Sequence, residues 1–193
     1  MRERIIEFLM STKRDGMEDL IAWMDNNGFF EAPCSTQHHL CCEGGLARHS
    51  MNVFKQMDDF AHGILSTREY AEMMDSIVIC SILHDIGKCG QFGKKYYVEN
   101  YLSKTDKDGN PVRSEAKPYV TNTELLNVPH EIRSISIVSR FIDLTEEEQH
   151  AILYHNGKYT HMGYDLKETP LQMLLHFADL WCSRVTEVEE QPE

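Results

Sequence analysis

The sequence lacks any apolar run approaching the ~20 residues that a membrane span needs, and no apolar signal segment precedes Met10. Its six cysteines (Cys34, Cys41, Cys42, Cys80, Cys89 and Cys182) form no CxxC pair and no secreted disulfide spacing. Together these absences predict a soluble chain in a reduced, cytoplasmic setting. Positive charge is also scarce: 19 Lys and Arg stand against 31 Asp and Glu, for a formal charge of −12. Such a surface repels nucleic-acid backbones in bulk and attracts cations. There is no internal repeat and no low-complexity linker, and 193 residues with 41% hydrophobic content predict one compact domain with a real core.

What is present is helical periodicity. Residues 4–10 and 17–24 place apolar side chains at helical spacing (Ile5, Ile6, Phe8, Leu9, then Leu20, Ile21, Met24), with a break near Asp15-Gly16. Residues 29–42 are irregular. After Gly44-Gly45, the residues Leu46, His49, Val53, Met57 and Phe60 recur at spacings of three and four, which puts His49 on a buried stripe. Residues 69–83 make the next helix, whose apolar end (Ile77, Val78, Ile79, Ile82, Leu83) delivers His84 and Asp85 before Gly87 breaks it. Tyr96-Tyr97-Val98 and Lys117 to Val120 flank a turn signal at Asp108-Gly109-Asn110-Pro111, predicting a β-hairpin inserted over 93–123. Between Lys94 and Lys117 the insert carries six Lys or Arg against four Asp or Glu. Its tyrosines and lysines suit either a phosphate or base contact, or a solvated hairpin lying on the body.

Pro129 is expected in the first turn of a helix marked by Ile132, Ile135, Val138 and Ile142, with His130 at its start and Ser134 on the same face. Thr145-Glu146-Glu147-Glu148 is a capping-box pattern, so a short helix runs to Gly157 with His155 inward on its last turn. The final helix, 170–185, carries Leu171, Leu175, Ala178, Asp179 and Cys182 on one stripe, and a buried aspartate needs partners. Residues 187–193 are expected to be an acidic, disordered tail.

Several helices thus each present one His or Asp on an apolar face. Imidazole and carboxylate together are ligands of divalent transition metals. The order and setting resemble the HD-domain superfamily of metal-dependent phosphohydrolases. Gly44-Gly45-Leu46-Ala47-Arg48-His49 is similar to its first-histidine segment, His84-Asp85-Ile86-Gly87-Lys88 to its defining motif, and Ala178-Asp179-Leu180 to its last-aspartate segment. The resemblance implies an all-α helical bundle with a small inserted β-hairpin. In that reading, residues 1–186 form one domain, with N-terminal helices over 1–28 and a metal-binding core over 38–186. It also implies that His49, His84, Asp85 and Asp179 hold one divalent ion, and that His130 and His155 add a second, with Asp85 bridging. No GYP-type motif follows, so cyclic-di-GMP is not carried over as substrate.

An imidazole-rich site suits Mn, Fe, Co, Ni or Zn better than Mg. The expected activity is hydrolysis of a phosphomonoester or phosphodiester in a small, nucleotide-like substrate, with His84, Asp85 and Lys88 as catalytic candidates. Lys88 is expected either to bind a substrate phosphate or to satisfy helix-end carbonyls. Two alternatives keep the same fold: a mixed-valent di-iron oxygenase, and a non-catalytic module binding nucleotide or metal. His38-His39 with Cys41-Cys42 lacks the spaced ligand pairs of structural zinc, and His39 is expected instead as a donor beside the cleft. His176 is a candidate to orient Asp179, whereas His62, His150 and His161 show no supporting pattern. Ser183 and Arg184, about one turn beyond Asp179, are expected either to face the same cleft or, as the favoured reading, to lie on the surface.

Overall fold

The computed structural model describes residues 1–157 and 167–188. Helices predominate: α1 (Arg2–Ser11), α2 (Met17–Asn26), α3 (Gly45–Ile64), α4 (Thr67–Leu83), α5 (His130–Val138), α6 (Glu146–Leu153) and α7 (Pro170–Trp181). A 3-10 turn (Ile86–Cys89) follows α4, and a π-helical turn (Cys182–Thr186) follows α7. No helix among the described residues is long and apolar enough to cross a membrane.

The centre of the molecule is the second half of α4. All seven residues from Ile77 to Leu83 are buried, because α1, α3, α6 and α7 pack around this segment. A helix enclosed on every side needs apolar residues all round rather than on one stripe. Each such Ile or Leu contributes about 1.5–3 kcal/mol of burial. Around it, α3 turns in Leu46, Val53 and Met57, and α7 turns in Leu171, Leu175 and Ala178.

Two capping boxes anchor the bundle. Ser66 and Glu69 exchange hydrogen bonds at the start of α4, and Thr145 and Glu148 do the same for α6. Glu148 is fully buried and also receives Arg14 Nη2 at 2.6 Å and Ser76 Oγ at 2.7 Å. The cap of α6 therefore ties the α1–α2 turn to α4.

The insert is three short antiparallel ladders rather than one hairpin. β1 (Gly90–Gln91) pairs with β2 (Lys94–Lys95), β3 (Tyr97–Glu99) with β6 (Tyr119–Thr121), and β4 (Tyr101–Thr105) with β5 (Pro111–Arg113). The turn falls where Asp-Gly-Asn placed it: Asp106 Oδ1 accepts from the backbone N–H groups of Asp108 and Asn110. Buried Arg133 of α5 donates to Gln91 Oε1 and to Leu126 O, fastening the base of the insert to the body.

Four expected helix ends move. Pro129 is the N-cap of α5 rather than a residue within its first turn, and α5 stops at Val138. The helix α6 stops at Leu153, leaving His155 in the following turn. The last helix gives way to the π-turn at Cys182. Glu187, expected in an acidic tail, is fully buried, while residues 189–193, like His161, lie outside the described residues.

Candidate metal centre

Each of the six sequence-predicted ligands is delivered by a helix or its end. His49 comes from the first turns of α3, His84 and Asp85 from the end of α4, His130 from the start of α5, His155 from the turn after α6, and Asp179 from α7. The structure brings all six together. The carboxylate of Asp85 lies in the middle: Oδ2 is 3.6 Å from His49 Nε2 and 3.4 Å from His84 Nε2. Its other oxygen, Oδ1, is 3.2 Å from His130 Nε2 and 3.7 Å from His155 Nε2. Asp179 Oδ1 is 3.1 Å from His49 Nε2.

The outer nitrogens explain why the Nε2 atoms point inward. His84 Nδ1 donates to Ser81 O at 2.9 Å, and His155 Nδ1 donates to Ile152 O at 2.7 Å. In the same way His49 Nδ1 donates to both carboxylate oxygens of Glu187 at 3.0 Å, and His130 Nδ1 lies 3.4 Å from Glu131 Oε2. A proton fixed on Nδ1 leaves the Nε2 lone pair free for a cation, which is how metal-binding imidazoles are oriented.

Three atoms at the centre, His49 Nε2, His84 Nε2 and Asp85 Oδ1, are buried without a hydrogen-bond partner among the described residues. Leaving such groups unsatisfied costs about 1–3 kcal/mol each, and cations seated between the imidazoles and this carboxylate would satisfy them. His49, His84 and Asp179 offer ligand atoms within 4.8 Å of one another, as do His84, Asp85 and His155, and also His130, Glu131 and His155. These buried groups therefore fit divalent metal.

The electrostatics agree. Burial works against the charged form of Asp85, but Lys88, His84 and His130 hold its carboxyl well below the usual range. Burial also opposes protonation of His49, yet the Cys34 sulfur and the carboxylates of Asp179 and Glu187 raise it well above its ordinary value. The field that holds a proton there favours a cation. Burial, with the nearby His84, pushes His155 down to about 4, so its ring is neutral near pH 7.

Lys88 pairs with the central carboxylate. Its Nζ is 2.6 Å from Asp85 Oδ2, and its side chain is 14% exposed. Lys88 also lines a cleft of about 910 Å³ running between the α2 end and the insert, with Glu31, Lys94, Tyr97, Tyr101 and Tyr119 among its walls. The insert thus faces the cleft with tyrosine and lysine together.

His176 does not orient Asp179; its Nδ1 donates to His155 O at 2.7 Å and so holds the backbone of a different ligand. Ser134 on α5 accepts the Gly87 N–H at 2.9 Å. His39 lies beside the centre as expected, its ring 5.1 Å from that of His49. Ser183 bonds to Leu180 O, and Arg184 lines a separate apolar groove with Phe60, Phe177 and Trp181.

The residues that sequence reasoning missed are Glu187, Glu131, Cys34 and Asn52, which donates to Glu187 Oε1. Glu187 carries no readable signal. It lies eight residues after Asp179, off that face in a regular α-helix, and the wider π-turn brings it back. Comparison with protein-family models, with curated proteins and with solved structures returns no match.

Proposed function

We propose that this chain is a metal-dependent phosphohydrolase of the HD-domain type, acting on a phosphate ester in a small nucleotide-like substrate. The observation that carries the reading is the division of four imidazoles by one carboxylate. His49 and His84 face Asp85 Oδ2, while His130 and His155 face Asp85 Oδ1. That arrangement suits two ions, one held by His49, His84, Asp85 and Asp179, the other by Asp85, His130 and His155.

Divalent ions held in this way supply Lewis-acid polarisation of a phosphoryl oxygen and acidify water to near neutral pH. The chain supplies the rest. Asp85 stays ionised because Lys88 pairs with it, and Lys88, lining the cleft, presents a point charge to a phosphate. Tyr97, Tyr101 and Lys94 line the same cleft, and aromatic rings beside a cation are the chemistry that accepts a base and its phosphate.

The test is to load the purified protein with Mn, Fe, Co or Ni and screen nucleotides, cyclic dinucleotides and a generic aryl phosphate. Phosphate-ester hydrolysis, read as phosphate from monoesters or a monoester product from diesters, that disappears in Asp85→Asn and persists without oxygen is the expected result. Silence across the panel with metal bound would overturn the proposal.

A further inference from the structure

A second group of donors lies on the far side of His49, and nothing in the proposed hydrolysis uses it. Cys34 Sγ is 3.3 Å from His39 Nε2, and His39 Nε2 is 3.8 Å from Glu187 Oε2. Cys34, His39 and His49 offer ligand atoms within 4.8 Å of one another. With metal–sulfur bonds of about 2.3 Å and metal–nitrogen or metal–oxygen bonds of about 2.0–2.2 Å, neighbouring ligand atoms of a tetrahedral ion are roughly 3.4–3.6 Å apart. The two separations made by His39 Nε2, 3.3 Å to the thiol and 3.8 Å to the carboxylate, bracket that size.

The loop is shaped to bring the two side chains together. Ser35 Oγ accepts the N–H groups of His38 and His39 at 3.0 and 3.1 Å and donates to His39 O at 2.7 Å. The Cys34 N–H closes the loop on Leu40 O at 3.1 Å. Leu40 itself has φ +44°, a left-handed conformation that a leucine adopts only when its surroundings impose it. Gly45 makes that closure possible, since a Cβ there would lie 2.0 Å from Leu40 O. Cys34 and Glu187 are fully buried and the His39 side chain is only 15% exposed.

We infer that Cys34, His39 and Glu187 form a separate site for one borderline or soft divalent cation such as Zn²⁺ or Co²⁺, distinct from the six-residue centre. Thiolate, imidazole and carboxylate supply three ligands and leave a fourth position open. Binding displaces the Cys34 thiol proton to solvent and involves no change of oxidation state. Glu187 Oε1 keeps its bonds from His49 Nδ1 and Asn52, so the same carboxylate links this ion to a ligand of the neighbouring centre. The inference does not require that centre to be catalytic.

The experiment uses the full chain, stripped by chelation and titrated with Co²⁺, reading metal per chain and the absorption spectrum. The expected wild-type signature is a near-ultraviolet thiolate-to-cobalt charge-transfer band. Cys34→Ala loses that band together with one equivalent of cobalt. His84→Ala keeps the band and loses cobalt from the other centre, so failure of the two readings is distinguishable. His39→Ala, in a surface loop and independent of whether Cys34→Ala folds, shifts the band and weakens the cobalt giving rise to it at least tenfold. Absence of the band in wild-type protein, or its survival with unchanged stoichiometry in Cys34→Ala, would overturn the site.

Discussion

Gly87 offers the sharpest test of how the fold positions the candidate centre. It follows Asp85 in the 3-10 turn and lies directly under the first turn of α5. A Cβ at this position would be 2.5 Å from His130 O, 3.0 Å from Arg133 Cβ and 3.0 Å from Ser134 N. The constraint is space rather than backbone conformation, since Gly87 is not among the positive-φ residues. Replacing it with alanine therefore forces α5 to retreat. Raising 2.5 Å to ordinary van der Waals contact near 3.4 Å takes a movement of about 0.9 Å, several times the ±0.2 Å or so that metal–ligand distances tolerate. His130, 3.2 Å from Asp85 Oδ1, rides on that turn.

Overpacking of this kind costs about 1–3 kcal/mol, and weakening the Gly87 N–H to Ser134 Oγ bond costs about 1 kcal/mol more. For a chain of this length each kcal/mol lowers Tm by about 2–4 °C, giving a fall on the order of 5–15 °C. The assay is a thermal melt with metal analysis on Gly87→Ala, with Gly63→Ala of α3 as control, because a Cβ at Gly63 meets nothing within 4 Å. Gly87→Ala should lose the metal associated with His130 and His155 before that associated with His49, His84 and Asp179. If it melts with the control and retains full metal, the close approach of α5 does not position His130, and the reasoning fails.

Glu187→Gln removes the negative charge facing His49 Nδ1; metal affinity should drop about 10–100-fold in a chelator competition, and unchanged affinity would show that this carboxylate orients nothing. Metal at about 1,000 times its Kd should stabilise the fold by about 4 kcal/mol, seen as a Tm about 8–16 °C above that of chelated protein, so identical melting curves would argue against the centre. In the metal-free protein His155 titrates near 4 when folded against 6.5 as a free side chain. The unfolded chain binds the extra proton between those values, so stability present above about pH 6.5 is lost as pH falls towards 4. His49, raised instead, adds slope only above its free value, and a denaturant midpoint that is flat from pH 6.5 to 4 would refute the burial argument. Burial pushes the thiols of Cys34 and Cys89 up to about 12, so a thiol reagent should label exposed Cys42 and half-buried Cys41 much faster than either; equal rates would contradict the packing.

The helices were legible because their apolar periodicity is a local property. The stripe through Leu46, His49, Val53 and Met57, the capping box at Thr145 and Glu148, and the apolar run before His84 each act within one or two turns of chain. His49 and Asp179 were legible as candidates for the same reason, each a polar residue on an apolar stripe, while the full set of six came from the order of motifs, and His155 lies in the turn after α6 rather than on a helix face. Helix ends were less so: α6 stops at Leu153 although the pattern runs on towards Gly157. The division of the insert into three ladders, and the register shift within the β4–β5 ladder between Tyr101 and Thr105, are written in no turn signal.

The sequence by itself determined that a helical chain carries imidazoles and carboxylates at buried positions, because burial period and residue chemistry are written along the chain. Only the tertiary structure decided that Asp85 stands between two pairs of imidazoles, that Lys88 pairs with it, and that Cys34, His39 and Glu187 meet beside His49. His39 and Glu187 are 148 residues apart in sequence and 3.8 Å apart in space, and a distance of that scale across such a span follows from how whole helices pack, which no local pattern records.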